Sequence, residues 1–294
     1  MSTNKKALLV VNPISGGIDK SETIDRLQAR FDQEQRELSI YYTSGNNDKA
    51  QLKAIVKELQ PERVLVAGGD GTMKLLAEIL KGTSIPIGLF PAGSANGLAE
   101  NLDLPSNLEE LIDVALGNRF RELDCISVNE EICLHISDIG LNAELVKNYE
   151  EGRIRGKLGY FLQSIPTLIK SDFPFRFSFT IEGKVHHREG FLLAIANARR
   201  YGTGATINPI GKMDDGIFEI LVFKKFDIPQ ILKTFQQDVE LSEDFLEIFP
   251  AKEALIECEK ELPFQVDGEY LGQVKKIVAR ISDLKLRIAV RSEA

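Results

Sequence analysis

Arg63-Val-Leu-Val-Ala67, running into Gly68-Gly-Asp-Gly-Thr72, is the stretch that decides the fold of this 294-residue chain. The apolar run is short enough for a buried strand. The three glycines after it let the backbone turn sharply and come close to a ligand. From Thr72 to Leu80 the apolar spacing becomes helical. The same alternation surrounds this unit. Lys6–Asn12, Leu38–Tyr42 and Ile85–Phe90 read as strands. Ser21–Phe31 is helical through Ile24, Leu27 and Phe31, and Asp48–Leu59 through Leu52, Ile55, Val56 and Leu59. Ser94–Glu100 and Asn107–Leu116 read as two more helices, with Gly117-Asn118 ending the second. Strands alternating with amphipathic helices predict a parallel α/β sheet, whose ligands bind beyond the carboxyl ends of the strands.

Amides exposed where a glycine turn enters a helix form an anion site. Asp70 inside the turn suits a metal or a hydroxyl. Taken alone, a ligand-free turn explains the pattern as well. Two more turns shift that balance. Asn12-Pro13-Ile14-Ser15-Gly16-Gly17 follows the first strand, and Phe90-Pro91-Ala92-Gly93-Ser94-Ala95-Asn96-Gly97 follows the fourth. Parallel strands place all three turns on one sheet edge. Ser15, Thr72, Ser94 and Asn96 are suitable donors to phosphate oxygens. The chain has no P-loop motif, no G-x-G-x-x-G opening a helix and no H-E-x-x-H. Ala92 stands where a G-x-S-x-G elbow needs its first glycine. His135, His186 and His187 lie in strand-like stretches that suit structural histidines better than a hydrolase triad.

From Phe120 the texture changes. Glu122–Val128, Ile132–Ile136, Arg176–Ile181, Phe191–Ala196, Phe218–Phe223 and Lys276–Ile281 read as strands. Helical pattern persists at Leu158–Ile169, Ile228–Phe235 and around Phe245. A second, mainly antiparallel, β-sandwich-like domain is expected over residues 123–281, after an α/β domain over 1–122. The last segment, about 282–294, is available to return to the first domain. Three cysteines and no CxxC exclude a disulfide framework and a zinc knuckle. A formal charge of −8 disfavours nucleic acid as a partner. No run of about 18 apolar residues is present and MSTNKK lacks a signal-peptide pattern, so a cytoplasmic location is expected.

Asn12-Pro-Ile-Ser-Gly-Gly17, Gly68-Gly-Asp-Gly-Thr72 and Pro91-Ala-Gly-Ser-Ala-Asn96 resemble the motifs of the diacylglycerol kinase catalytic-domain family. That family includes soluble bacterial diacylglycerol kinases and the sphingosine and ceramide kinases. Gly93-Ser-Ala-Asn-Gly-Leu-Ala99 is closer to the sphingosine-kinase wording. The resemblance continues through Ile195–Asn197, Asn208-Pro209, Asp214-Asp215-Gly216 and Asp267-Gly268-Glu269, in order along nearly the whole chain. It implies an active site in a cleft between the two domains. It also implies that Asn12, Pro13, Ser15, Gly16, Thr43, Gly68, Gly69, Asp70, Gly71, Thr72, Gly93, Ser94 and Asn96 hold ATP. Asp70 would lie near Mg²⁺ and the γ-phosphate, and Asp267 or Glu269 would take the proton of the lipid hydroxyl. Asp215, with carbonyls such as those of Met213 and Ile217, resembles the family's structural Mg²⁺ site, an oxygen set that hard cations favour. By its residues alone, Asp267-Gly268 is an ordinary β-turn signal.

The family usually has Asn-Glu or His-Glu where this chain has Lys74 and Leu75, and Glu78 one turn on is placed to pair with Lys74. Phe173, Phe175, Phe177 and Phe179 alternate, as a sandwich core face does and as a membrane-touching strand also would. Arg153, Arg155, Lys157 and Lys170 bracket the Leu158–Ile169 helix and suit anionic lipid or plain solvent. The expected function is an ATP- and Mg²⁺-dependent lipid kinase, acting on a hydroxyl of diacylglycerol, a sphingoid base or a related lipid while transiently at a membrane surface. The copy number is left open, a homodimer included. A NAD-kinase-like phosphotransferase and a non-catalytic lipid- or nucleotide-binding protein are the rivals.

Overall fold

A computed structural model describes residues 6–94, 96–140, 143, 174–201, 204–236 and 240–291. The chain divides into two compact units, Met1–Leu123 with Leu284–Ala294, and Asp124–Asp283.

The first unit is built on parallel strands. β1 (Lys6–Val11) lies between β2 (Glu37–Tyr42) and β3 (Arg63–Gly68), and β3 pairs on its other side with β4 (Ile87–Pro91). Their helices are α1 (Ser21–Gln33), α2 (Asp48–Leu59), α3 (Asp70–Ile79), α4 (Gly97–Glu100) and α5 (Leu108–Leu116). Leu9, Val11, Leu65, Ala67 and Phe90 of the strands pack against Leu27 and Phe31 of α1 and Ile112 and Ala115 of α5. α5 is capped at both ends. The Asn107 side chain accepts the amides of Glu109 and Glu110, and the buried Arg63 guanidinium donates to the Ala115 (2.7 Å) and Gly117 (3.1 Å) carbonyls.

The second unit is antiparallel, as the alternating pattern predicts. β5 (Phe120–Val128) crosses the unit boundary and pairs with β6 (Glu131–Cys133). β7 (Ile136–Gly140) lies between β10 (Leu192–Ala196) and β13 (Glu253–Val266). β10 continues to β11 (Phe218–Phe223) and β12 (Leu246–Ala251). β8 (Phe175–Ile181) pairs with β9 (Lys184–Gly190) and β13. Helix α6 (Ile228–Lys233) starts from an Asp227 cap. β14 (Glu269–Ala289) leaves the second unit and ends in the first, where Ile288 pairs with Ile87. Phe175, Phe177 and Phe179 are buried in the core with Ile256 and Phe264, so the phenylalanine alternation is a core face; Phe173 lies outside the described residues.

The elements depart from the sequence pattern in several places, and β7, β12 and β13 are strands that it did not single out. The expected helix over Ser94–Glu100 starts only at Gly97, because Asn96 is left-handed at φ 55° and its Oδ1 turns back to the Gly93 amide. The expected strand over Ile132–Ile136 breaks at Leu134 and His135, whose amides turn to Asp267. Phe245 is not helical; it is a buried residue entering β12. The polar strand β9 was hidden because only its partner β8 carries the apolar face. The expected helix Leu158–Ile169, with Arg153, Arg155, Lys157 and Lys170, lies outside the described residues. No helix among the described residues is long and apolar enough to cross a membrane.

Candidate active site

The three glycine-rich turns meet at the carboxyl ends of β1, β3 and β4. Ser15 Oγ donates to the Ala92 carbonyl (2.9 Å), tying the first turn to the third. Asn12 Nδ2 donates to Thr72 Oγ1 (3.4 Å), tying the first to the second. The Ala92 amide donates to the Gly68 carbonyl (2.8 Å). Asp70 carries the strongest link between the second and third turns. Its carboxylate accepts the Gly97 amide (2.6 Å) and the Leu98 amide (3.1 Å), so it caps α4 from a neighbouring loop.

Glycine is required here by contact. A Cβ on Gly93 would stand 2.6 Å from the Gly69 Cα, and one on Gly69 would stand 2.9 Å from the Gly93 Cα. The two backbones therefore run past each other with no room for a side chain. At Gly16, where φ is 62°, an added Cβ would stand 2.7 Å from the Ala92 carbonyl oxygen. A wall of backbone results, and α3 begins there at Asp70, with the Thr72 (3.0 Å) and Met73 (3.1 Å) amides donating to the Gly69 carbonyl. Thr43 follows β2 and its amide donates to the Val11 carbonyl, which puts it beside Asn12 at the same sheet edge. The structure thus brings Asn12, Pro13, Ser15, Gly16, Thr43, Gly68, Gly69, Asp70, Gly71, Thr72, Gly93, Ser94 and Asn96 to one end of one sheet.

Lys20 was not singled out by sequence. Only 5% exposed, it donates through Nζ to the Ser15 (2.8 Å) and Ile18 (2.7 Å) carbonyls and closes the first turn from below; burial pushes its pKa down. A lone lysine in a polar loop carries no signal of this. Glu78 pairs with Lys49 (2.6 Å), a cross-helix partner that the spacing to Lys74 does not reveal.

In the second unit Asp267 and Gly268, at φ 51° and 85°, form the two-residue turn between β13 and β14, opposing Val266 to Glu269. The Asp267 side chain points inward and is 4% exposed. It accepts the Leu134 (2.7 Å), His135 (3.0 Å) and Ile136 (3.3 Å) amides, and Oδ1 lies 2.6 Å from His135 Nδ1. Burial works to raise its pKa, but the imidazole and these amides hold the carboxyl below the usual range. Such a carboxylate fastens the turn and is poorly disposed to take up a proton. Glu269, the next carboxylate, is exposed at the start of β14. His135 therefore belongs to this turn and not to a triad; its partner is distant in sequence and was not legible there.

The turn over residues 213–217 is strapped to Asp124. The Asp124 amide donates to the Met213 carbonyl (2.7 Å) and its Oδ2 accepts the Gly216 amide (2.7 Å). Asp215 is exposed, and its Oδ1 accepts the Ile217 amide (3.3 Å). Glu219 behind the turn is buried, accepts Asn208 Nδ2 (2.7 Å), and has its pKa raised by burial. Asn197 is also buried, donating to the Asp124 carbonyl (2.7 Å). Among the described residues no three His, Cys, Asp or Glu side chains converge as metal ligands. A cation at this turn would depend on Asp215 and on carbonyls, which is the hard oxygen set that Mg²⁺ accepts alongside water.

Family comparison agrees with this architecture. Residues 6–128 match the diacylglycerol kinase catalytic domain, and residues 136–290 match the YegS C-terminal NAD kinase beta sandwich-like domain. The chain is 27% identical over 245 residues to "Probable lipid kinase YegS-like" of Chromohalobacter salexigens, covering 79% of this chain and 77% of that protein. It is 27% identical over 246 residues to "Probable lipid kinase YegS" of Salmonella typhimurium, covering 80% and 81%. A diacylglycerol kinase structure from Bacillus anthracis superposes with TM-score 0.75 at 22% identity, covering 99% of this chain and 98% of that one. An NAD kinase from Archaeoglobus fulgidus in complex with ATP shares the fold at TM-score 0.57 and 13% identity, covering 97% and 93%. With both domain families matched in order and relatives aligned over most of its length, the chain belongs to the lipid kinase family that joins a diacylglycerol kinase catalytic domain to a YegS-type β-sandwich-like domain.

Proposed function

We propose that this kinase transfers the γ-phosphate of ATP to a hydroxyl of diacylglycerol, a sphingoid base or a related lipid, working transiently at a membrane surface. The observation that carries the reading is the locking of three glycine-rich turns at one sheet edge through Asp70 and Gly97, beside the start of α3. Phosphoryl transfer needs mainly positioning and neutralised charge, and locked turns supply the positioning.

Glu269 is the residue we assign as general base. It is exposed and one residue beyond a turn that Asp267 pins, whereas Asp267 itself is spent on the 134–136 amides. Asp70 acts by holding the second and third turns in register. Asp215 with the Met213 and Ile217 carbonyls would hold a structural Mg²⁺, whose charge suits this set of oxygen donors.

Radiolabel transfer from ATP to diacylglycerol, sphingosine and NAD, each with and without Mg²⁺, tests the reading. Label on a lipid hydroxyl is expected. Label on NAD alone would replace the lipid acceptor by a dinucleotide, and none on any acceptor would leave a binding protein.

A further inference from the structure

Glu269 follows a turn that is held from a second side, independently of Asp267. In a two-residue turn of this mirror type the strands close through their own backbone pairs, here Val266 with Glu269 and Gln265 with Tyr270. The amide of the second turn residue needs no protein partner for the turn to form. Here it has one. The Gly268 amide donates to Gln265 Oε1 (2.7 Å). The other end of the Gln265 amide donates through Nε2 to Asp138 Oδ2, across the β7–β13 pairing. Tyr201 Oη donates to that same Asp138 oxygen (2.6 Å). Asp138 is 0% exposed and Gln265 is 1% exposed.

The direction of this chain is fixed by chemistry. A backbone N–H only donates, so the Gln265 oxygen must face Gly268 and its nitrogen must face Asp138. Tyr201 and Gln265 together orient Asp138, and Asp138 orients Gln265. Ser137 Oγ adds a tether by donating to the Gln265 carbonyl (2.7 Å). A carboxylate buried between a phenol and an amide is a costly way to fill a core, since apolar side chains of similar volume serve stability as well or better. What such a network supplies is a defined position for what it touches, and what it touches is the turn preceding Glu269.

We propose that Tyr201, Asp138 and Gln265 are positioning residues for the general base, setting the Gly268 amide and so the aim of Glu269. This rests on the reading of Glu269 as base. Losing the Tyr201 hydroxyl frees Asp138 and Gln265 to re-pair and loosens the turn by a fraction of an ångström to ~1 Å, a displacement that costs up to ~100-fold in rate.

The test is a double-mutant cycle on the full chain, following radiolabel transfer from ATP to the fastest acceptor among diacylglycerol and sphingosine in detergent micelles. Tyr201→Phe is expected to lower kcat ~10-fold or more while the KM for ATP stays within about twofold. In a Glu269→Gln background the same change is expected to cost nothing further, because the group being aimed is gone. Gln265→Glu keeps the acceptor for Gly268 but sets a second carboxylate against Asp138, so it should behave like Tyr201→Phe. An equal loss from Tyr201→Phe in both backgrounds would show a general structural role and overturn the positioning proposal alone. Parent kcat in both Tyr201→Phe and Gln265→Glu would overturn it too. Parent kcat in Glu269→Gln would remove the base assignment itself, and the proposal with it.

Discussion

The Asp70 carboxylate and the Gly97 amide meet at 2.6 Å across two different turns, and this bond joins the second glycine-rich turn to the third. An acidic side chain in the Gly68–Thr72 turn therefore has a task beyond any contact with ligand. Asp70→Asn retains one acceptor and places an NH₂ group against a backbone N–H. We expect kcat/KM to fall about 100-fold, or about 2.7 kcal/mol of transition-state stabilisation, with the KM for ATP rising as well. Steady-state kinetics at saturating lipid check this. An unchanged KM with a lost kcat would put Asp70 at the reacting phosphate instead.

Gly93→Ala tests the backbone crossing. Its Cβ would sit 2.6 Å from the Gly69 Cα and 2.7 Å from Asn96 Oδ1, against groups unable to yield cheaply. Overpacking of this kind costs about 1–3 kcal/mol, and the third turn must shift. The expected outcome is ATP affinity reduced at least ~10-fold with the fold retained, read by calorimetry and circular dichroism.

The carboxylates of the β13–β14 turn should separate in their effects. Glu269→Gln is expected to lower lipid phosphorylation ~100- to 10,000-fold with little change in stability, as for a lost general base. Asp267→Asn strips a buried anion from three amides and from His135 and should cost about 2 kcal/mol or more of stability. Urea melts beside activity assays distinguish the two. If Asp267→Asn is as stable as the parent but inactive, the roles are reversed.

Acid sensitivity follows from the same carboxylate. Unfolded, Asp267 takes up its proton near 3.8; folded, it does so only at lower pH. Unfolding in that window binds a proton, so this contribution is complete above about pH 5 and is lost as pH falls through the folded pKa. The parent should therefore lose stability below pH 4 by more than Asp267→Asn does, measured by denaturant titration across pH 3–6. Parallel curves for the two proteins would mean that the carboxyl is not held low.

The legible parts of the site were those written locally. Gly68–Thr72 shows its turn because a strand run precedes it and a helical period follows, and Asn12–Gly17 and Pro91–Asn96 repeat the arrangement. The Asp267-Gly268 turn was legible as well, since Asp-Gly between strand-like runs takes the positive φ values seen here. What local pattern hid was direction. Nothing in Gln265-Val-Asp-Gly-Glu269 says that Asp267 turns inward to the 134–136 amides while Glu269 faces out. The strand break at Leu134-His135 was equally hidden, because both residues suit a strand until a carboxylate 132 positions away claims the His135 amide.

Period and turn chemistry act over a few residues, so the sequence by itself determined the parallel α/β unit, the antiparallel unit after it and the shared edge of the three glycine turns. Lys20 under the first turn, Asp70 across to Gly97, Asp124 on the 213–217 turn and the Tyr201–Asp138–Gln265 chain were decided only by tertiary structure. Each joins polar groups from separate elements, and burial forces such groups to find partners wherever packing brings them together. That pairing depends on which strands become neighbours, a choice made by the whole fold and written in no single stretch of the chain.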